Sequence, residues 1–392
     1  PENFRINDIC VELQKRGHEV TVLTGVPNYP EGKLFAQFEE NSNNFKNLEG
    51  VEILRVPMLV RGRSKIQLFL NYLSFMVSCS SIGSWKVRGH SYDLIFICQL
   101  SPATVAIPGL IIAKIKGVPA VMWILDLWPD TLKAVGMVTN NYLLKVLQRL
   151  MNFIYSRCDL ILVQSQSFKQ KISSLIANRT QVHYVPTWAE DNFSLVGKKV
   201  HSNGAKDKLF TVTFAGNIGN AQDVYCIIQA ANELKQYPHI RFSIVGDGRE
   251  AVGVSSAIAL YGLSATVKML GRHPLETMPL FYDEADVMLI TLQSKELYSM
   301  TIPGKLQSYL AAGKPIIGAI DGEAQRVIVD SQSGYCVPSG DYAGLAEAIL
   351  QMSKMTQKQL DKFGKNAQNY YAKEFSRSKI IERFEHHLQQ IL

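Results

Sequence analysis

Apolar positions change period several times along the chain. Ile6, Ile9, Cys10 and Leu13 recur at helical spacing, and Gly17 stands where a helix C-cap belongs. Residues 19–24 then read as a β-branched strand that ends in the turn cluster 27–32. Further strands are expected at 51–56, 94–97, 120–125, 160–163 and 182–185, with helical stretches between them such as 142–155. A polar run over 197–208 interrupts the pattern, which restarts with strands at 209–214, 241–245, 267–270, 286–291 and 315–320 and a helix from Asp223. Strands alternating with helices predict parallel sheets covered on both faces. The expected organisation is an α/β domain over 1–188, a linker over 189–208, a second α/β domain over 209–376 and a terminal helix within 377–392.

The opening is unusual for such a domain, because a helical pattern comes before any strand. We expect one earlier strand, roughly 5–8 residues with its loop, ahead of this sequence. That loop belongs to the ligand-facing end of the sheet. At 392 residues and 47% hydrophobic, the chain has the composition of two globular domains. The six cysteines are scattered singly, several inside apolar runs, which is the usage of a reducing cytosol. No signal-peptide pattern is visible. Positive charge is uneven: residues 1–190 hold 20 Lys and Arg against 14 Asp and Glu, whereas the remainder is nearly balanced. A basic half fits nucleic acid, an anionic membrane or an anionic substrate, and it equally fits a solubilising surface.

Four stretches carry candidate chemistry. Residues 214–220 run from a strand into a glycine turn and a helix, so Gly216, Asn217, Ile218 and Gly219 offer backbone N–H groups to an anion, or simply a tight turn. The spacing is not G-x-G-x-x-G, which disfavours a nicotinamide enzyme. Val245-Gly246-Asp247-Gly248 suits a structural turn, and Arg272 and His273 sit on a similar strand-end loop, as ligand contacts or as exposed residues. Pro303 and Gly304 suit a helix start that puts Lys305 in the first turn, where a cation opposes the helix dipole unless an anion binds there. Asp126 ends a strand before Leu127-Trp128-Pro129; it either orients a reacting hydroxyl or N-caps a short helix. Asp126 and Asp130 form no D-x-D pair, so a metal site finds no support.

Taken together, 16–22, 27–30, 126–129, 215–219, 245–248 and 311–315 appear in the order in which glycosyltransferase family four carries them, over nearly the full length. The chain resembles the retaining GT-B enzymes of that family, in particular bacterial O-antigen and capsule transferases credited with N-acetyl-L-fucosamine or related deoxysugars. The resemblance implies two Rossmann-like domains facing across a cleft, with the C-terminal helix (379–391) crossing back to the N-terminal one. It also implies a nucleotide diphosphate sugar, UDP-linked, as donor, with no cofactor and no metal. The donor would contact Gly216, Asn217, Ile218, Gly219, Arg272, His273, Pro303, Gly304, Lys305 and Ser308, while Asp126 and Lys305 would act in catalysis. The sequence departs from the family at its Glu-x7-Glu pair, replaced by Met300 and Ser308, and at its Arg/Lys pair, where Asn217 and Gln222 stand. A sugar-nucleotide epimerase of the same fold and a non-catalytic sugar-nucleotide-binding assembly partner are the alternatives.

Residues 64–85 are about half apolar but broken by Asn71 and six serines, a poor spanning helix despite their length. Arg61, Arg63 and Lys65 precede them, and Trp85, Lys86 and Arg88 close them. This pattern suits a helix lying on the anionic inner face of the bacterial plasma membrane, in reach of an undecaprenyl-diphosphate-linked acceptor. A helix half-buried in its domain fits as well. Peripheral attachment from the cytoplasm, with no nucleic-acid partner, is the expectation.

Overall fold

The computed structural model describes residues 5–29, 32–62, 64–176, 180–195 and 209–392. The chain divides into two units, Pro1–Val185 with Ile381–Leu392, and Pro186–Ile380. The expected earlier strand, the 196–208 part of the linker and Arg63 lie outside the described residues.

The first unit contains β1 (Thr21–Thr24), β2 (Asn47–Leu48), β3 (Val51–Arg55), β4 (Ile95–Gln99), β5 (Ala120–Ile124), β6 (Leu160–Val163) and β7 (Gln181–Tyr184). They form two sheets, β1-β3-β2 and the all-parallel β4-β5-β6-β7. Every residue of β5 and β6 is buried, as continuous apolar runs require when helices cover both faces of a sheet. The helix Arg5–Lys15 ends before Gly17, whose φ of +94° is a conformation other residues avoid. At the other end of the chain, Phe384 packs edge-on against Phe96 at 4.9 Å and Trp123 at 6.2 Å. Beside it, Glu385 accepts a hydrogen bond from Arg16 at 2.8 Å and lies 2.7 Å from His18 Nε2. The helix carrying them, Arg377–Gln389, falls within the 377–392 segment expected to hold the terminal helix.

The second unit holds β8 (Phe210–Ala215), β9 (Ile240–Val245), β10 (Val267–Gly271), β11 (Val287–Thr291), β12 (Ile316–Ala319) and β13 (Gly334–Val337). All six are parallel, in the order β10-β9-β8-β11-β12-β13. This is the doubly wound Rossmann order, with its reversal between β8 and β11. Phe214, Ile244, Leu289 and Ile317 lie in one core under the helices Val224–Glu233 and Tyr342–Ser353. Strands β2 and β13 were not foreseen. Each is an edge strand of only two to four residues: β2 is an exposed Asn and a partly buried Leu, and β13 is partly buried throughout but too short for its apolar residues to stand out.

Candidate functional site

The reversal point of the second sheet is where its chemistry gathers. The helix Gly304–Ala311 starts there with Pro303 at its N-cap and is fixed by Tyr309. The buried Tyr309 hydroxyl donates to the Ala215 carbonyl and accepts from the Ala215 N–H, both at 3.0 Å. One turn earlier, this anchorage brings Lys305 over the Phe214 ring, its ammonium 4.1 Å from the centroid. Lys305 donates a hydrogen bond to the Gln222 side chain. Loss of solvent pulls its pKa from 10.5 to about 7. The Lys305–Gln222 pair thus stands beside the glycine loop. Sequence reading missed Tyr309, which looked like one more apolar residue of the helix.

Gly216 has φ +147°, and a Cβ there would stand 3.2 Å from Lys305 Nζ. The glycine loop packs on its neighbour: a Cβ on Gly246 would collide with the Gly216 carbonyl at 1.8 Å. The Gly216 N–H donates to Val245 at 2.9 Å and the Ile218 N–H to Asp247 at 2.9 Å. These two amides, expected to face an anion, are engaged within the fold. A Cβ on Gly219 would meet the Asn217 side chain at 2.7 Å. Ser308 is buried and its hydroxyl bonds the Gly304 carbonyl of its own helix at 3.3 Å, so its stand-in role for a ribose-binding carboxylate needs that bond to be exchanged. His273 bonds the Leu270 carbonyl at 2.9 Å and packs on Phe281, while Arg272 beside it is exposed.

A cavity of about 260 Å³ opens at the ends of β11 and β12, lined by Gln293, Ser294, Lys295, Tyr298, Asp321 and Ser339 among others. The Gln293 N–H donates to Ala221 at 3.0 Å, which ties the cavity wall to the glycine loop. Among the described residues, no group of three or more His, Cys, Asp or Glu is placed to hold a metal ion.

In the first unit, Asp126 follows β5. Its carboxylate accepts from the hydroxyls of Ser101 and Thr131 and, at 3.3 Å, from Trp128 Nε1. It caps no helix: the short helix Asp130–Ala134 has Pro129 at its N-cap. The capping alternative is therefore corrected in favour of a carboxylate held by three side-chain donors.

The helical stretch Lys65–Lys86 is continuous and long and apolar enough to cross a membrane by those measures alone. Its amphipathicity is inverted. Asn71, Cys79 and Gly83 face inward, whereas Ile66 is 73% exposed, Phe69 63% and Trp85 59%. The Asn71 side chain donates to the Leu59 carbonyl, and Ser74 accepts from the Leu59 N–H at 3.0 Å. Asn71 and Ser74, two of the polar residues that weakened it as a spanning helix, thus tie it to Leu59, whereas Ser80, Ser81 and Ser84 donate to carbonyls of the helix itself. Arg61 stacks on Tyr29 at 5.3 Å and Arg88 on Trp85 at 4.3 Å.

The family of glycosyl transferase 4-like domains matches residues 3–188, and the group 1 glycosyl transferases match residues 197–370. The chain is 25% identical over 249 residues to the glycosyltransferase WbjE of Pseudomonas aeruginosa, covering 59% of this chain and 60% of WbjE, under two-thirds of its length. It is 26% identical over 318 residues to WcaI of Escherichia coli (strain K12), named for colanic acid biosynthesis, covering 77% and 75%. Anabaena HepE, solved with UDP and glucose, superposes with a TM-score of 0.66 at 17% identity, over 98% of this chain and 94% of its own. A Thermosynechococcus elongatus sucrose-phosphate synthase gives 0.69 at 14%, over 100% and 93%. These likenesses show the GT-B fold, with a Rossmann-like architecture in each unit.

Proposed function

The chain belongs to the glycosyltransferase 4-like family of the GT-B fold, and from that premise we propose that it moves a sugar from a nucleotide diphosphate sugar to a lipid-linked glycan acceptor in bacterial polysaccharide synthesis. The relatives named for colanic acid and amylovoran biosynthesis support the pathway class. HepE bound to UDP-glucose supports a UDP-linked donor. A deoxysugar of the N-acetyl-L-fucosamine kind remains our reading of the transferred group.

The observation that carries the proposal is Lys305, a desolvated lysine held by the Phe214 ring and the neutral Gln222 side chain, at the reversal point of a Rossmann sheet. It would pair with the donor diphosphate, and the hydroxyl- and carboxylate-lined cavity beside it would take the sugar. In a retaining step the acceptor oxygen bonds the anomeric carbon as the carbon–phosphate oxygen bond breaks. The acceptor proton passes to the leaving diphosphate, and the products are glycosylated acceptor and nucleoside diphosphate. Catalysis is then positioning and charge stabilisation, with no metal in the step. Asp126, fixed by Ser101, Thr131 and Trp128, would orient the acceptor. Peripheral attachment to the inner face of the plasma membrane follows from the outward apolar row of Lys65–Lys86 with Arg61, Lys65, Lys86 and Arg88 about it.

The absence of the Glu-x7-Glu carboxylates at Met300 and Ser308 keeps a second reading open, a non-catalytic sugar-nucleotide binder. Turnover assays with a panel of nucleotide sugars, with and without a lipid-linked glycan acceptor, decide between them. Acceptor-dependent release of nucleoside diphosphate supports transfer. Conversion of donor without acceptor would mean an epimerase, and stabilisation by nucleotide without turnover would mean a binder.

A further inference from the structure

We propose that the first unit carries a pocket for the phosphate head of an amphiphile, formed by Lys133 and Lys145 beside the helix Asn141–Tyr155. It deepens the lipid-linked acceptor reading above and rests on it. A cavity of about 310 Å³ opens there, lined by Pro129, Lys133, Asn141, Lys145 and Gln148, with Asp130 and Leu144 completing the wall. Its one carboxylate, Asp130, is paired with Lys171 at 2.6 Å. Neither Lys133 nor Lys145 has an ion-pair partner among the described residues. Two solvent-exposed ammonium groups without ion-pair partners and the Asn141 amide make a donor-rich cavity, while the Gln148 amide donates to Asn152 at 2.8 Å, and such a donor set selects a phosphate or diphosphate.

The segments that supply the two lysines say what the phosphate is attached to. Tyr142, 76% exposed, stands one turn before Lys145 on the same helix with Val146 exposed after it, and Val135 and Met137 lie exposed just after Lys133. Large apolar side chains left in water on both segments fit a head group that brings an apolar tail. The place also fits the proposed chemistry. The short helix Asp130–Ala134 supplies both Lys133 to the cavity and Thr131, whose hydroxyl bonds Asp126. The cavity and the carboxylate assigned to the acceptor are therefore joined through one short helix.

The test uses the purified full chain and three soluble probes, farnesyl diphosphate, dioctanoyl phosphatidic acid and inorganic pyrophosphate, with binding read by microscale thermophoresis. At least one tailed probe should bind more tightly than pyrophosphate. The K133Q/K145Q double variant, checked for native circular dichroism, should bind it about tenfold or more weakly. Tyr142→Ser with Val146→Ser should weaken the tailed probes and leave the pyrophosphate response unchanged. Whichever tailed probe binds more tightly distinguishes a prenyl diphosphate from a phospholipid head group. Wild-type affinity in K133Q/K145Q, or pyrophosphate binding as tightly as both tailed probes, overturns the pocket. An active transferase with either result refutes the pocket alone. Lysine-dependent binding by a protein that transfers no sugar refutes the transferase reading alone.

Discussion

The ammonium of Lys305 lies 4.1 Å from the centre of the Phe214 ring, so the penultimate residue of β8 forms the floor of a cation site. A ring face attracts a cation and holds it without neutralising it. The protonated form is thus available to an arriving anion, and Gln222 Oε1, its neutral hydrogen-bond partner, is displaceable.

Lys305→Ala should weaken UDP binding by about 1.5–3 kcal/mol, the range for a hydrogen bond to a charged group. Thermal stabilisation by UDP reads this directly, because a ligand that binds the native state raises its apparent stability. Undiminished stabilisation in the variant would remove Lys305 from the diphosphate site.

The same lysine sets a pH dependence. Burial brings its pKa to about 7, against 10.5 in the unfolded chain. Between those values the unfolded chain holds a proton that the native protein lacks. This group's contribution to native stability therefore rises with pH across the window and is lost as pH falls toward 7. A bound diphosphate favours the charged form, so UDP affinity should decline as pH rises above about 7, and binding there should take up a proton. Calorimetry in two buffers of different ionisation enthalpy measures that uptake. Equal heats in both buffers at about pH 8.5 would contradict it.

Gly216→Ala places a side chain at φ +147° and 3.2 Å from Lys305 Nζ. The backbone alone should cost about 1–3 kcal/mol, and the Lys305 ammonium must give by a few tenths of an ångström. Chemical denaturation should show the stability loss, with UDP binding falling alongside it. A variant with wild-type values of both would show that the loop is looser than its geometry.

Asp126→Asn removes the charge while keeping the size of a side chain that accepts from Ser101, Thr131 and Trp128. Turnover should fall while UDP affinity stays at the wild-type level, since the donor site lies in the other unit. Equal loss of turnover and UDP affinity would point to general unfolding.

The outward row on Lys65–Lys86 should drive flotation with anionic liposomes at low salt and less at high salt. Ile66→Ser with Phe69→Ser should reduce it, as should replacing Arg61, Arg63 and Lys65 by Ser. Wild-type protein that stays at the bottom of a low-salt gradient would end the membrane reading.

The sequence by itself determined the two α/β units, because buried parallel strands need continuous apolar runs, and residues 120–124, 160–163 and 287–291 display them. It also singled out Lys305, since a cation in a helix's first turn lacks a local reason to be there. Tertiary structure alone decided what each polar group touches. Tyr309 reads as core until its hydroxyl meets Ala215, 94 residues away in the chain. Asp126 reads equally as an acceptor-orienting carboxylate or a cap until its donors prove to be the side chains of Ser101, Thr131 and Trp128. Asn71 and the serines of Lys65–Lys86 read as interruptions of an apolar helix, yet Asn71 and Ser74 fasten it to the protein and its apolar row turns to solvent. Periodicity records which side of an element differs from the other. Which side faces inward depends on the hydrogen-bond partners that distant segments bring, and those exist only once the chain has folded.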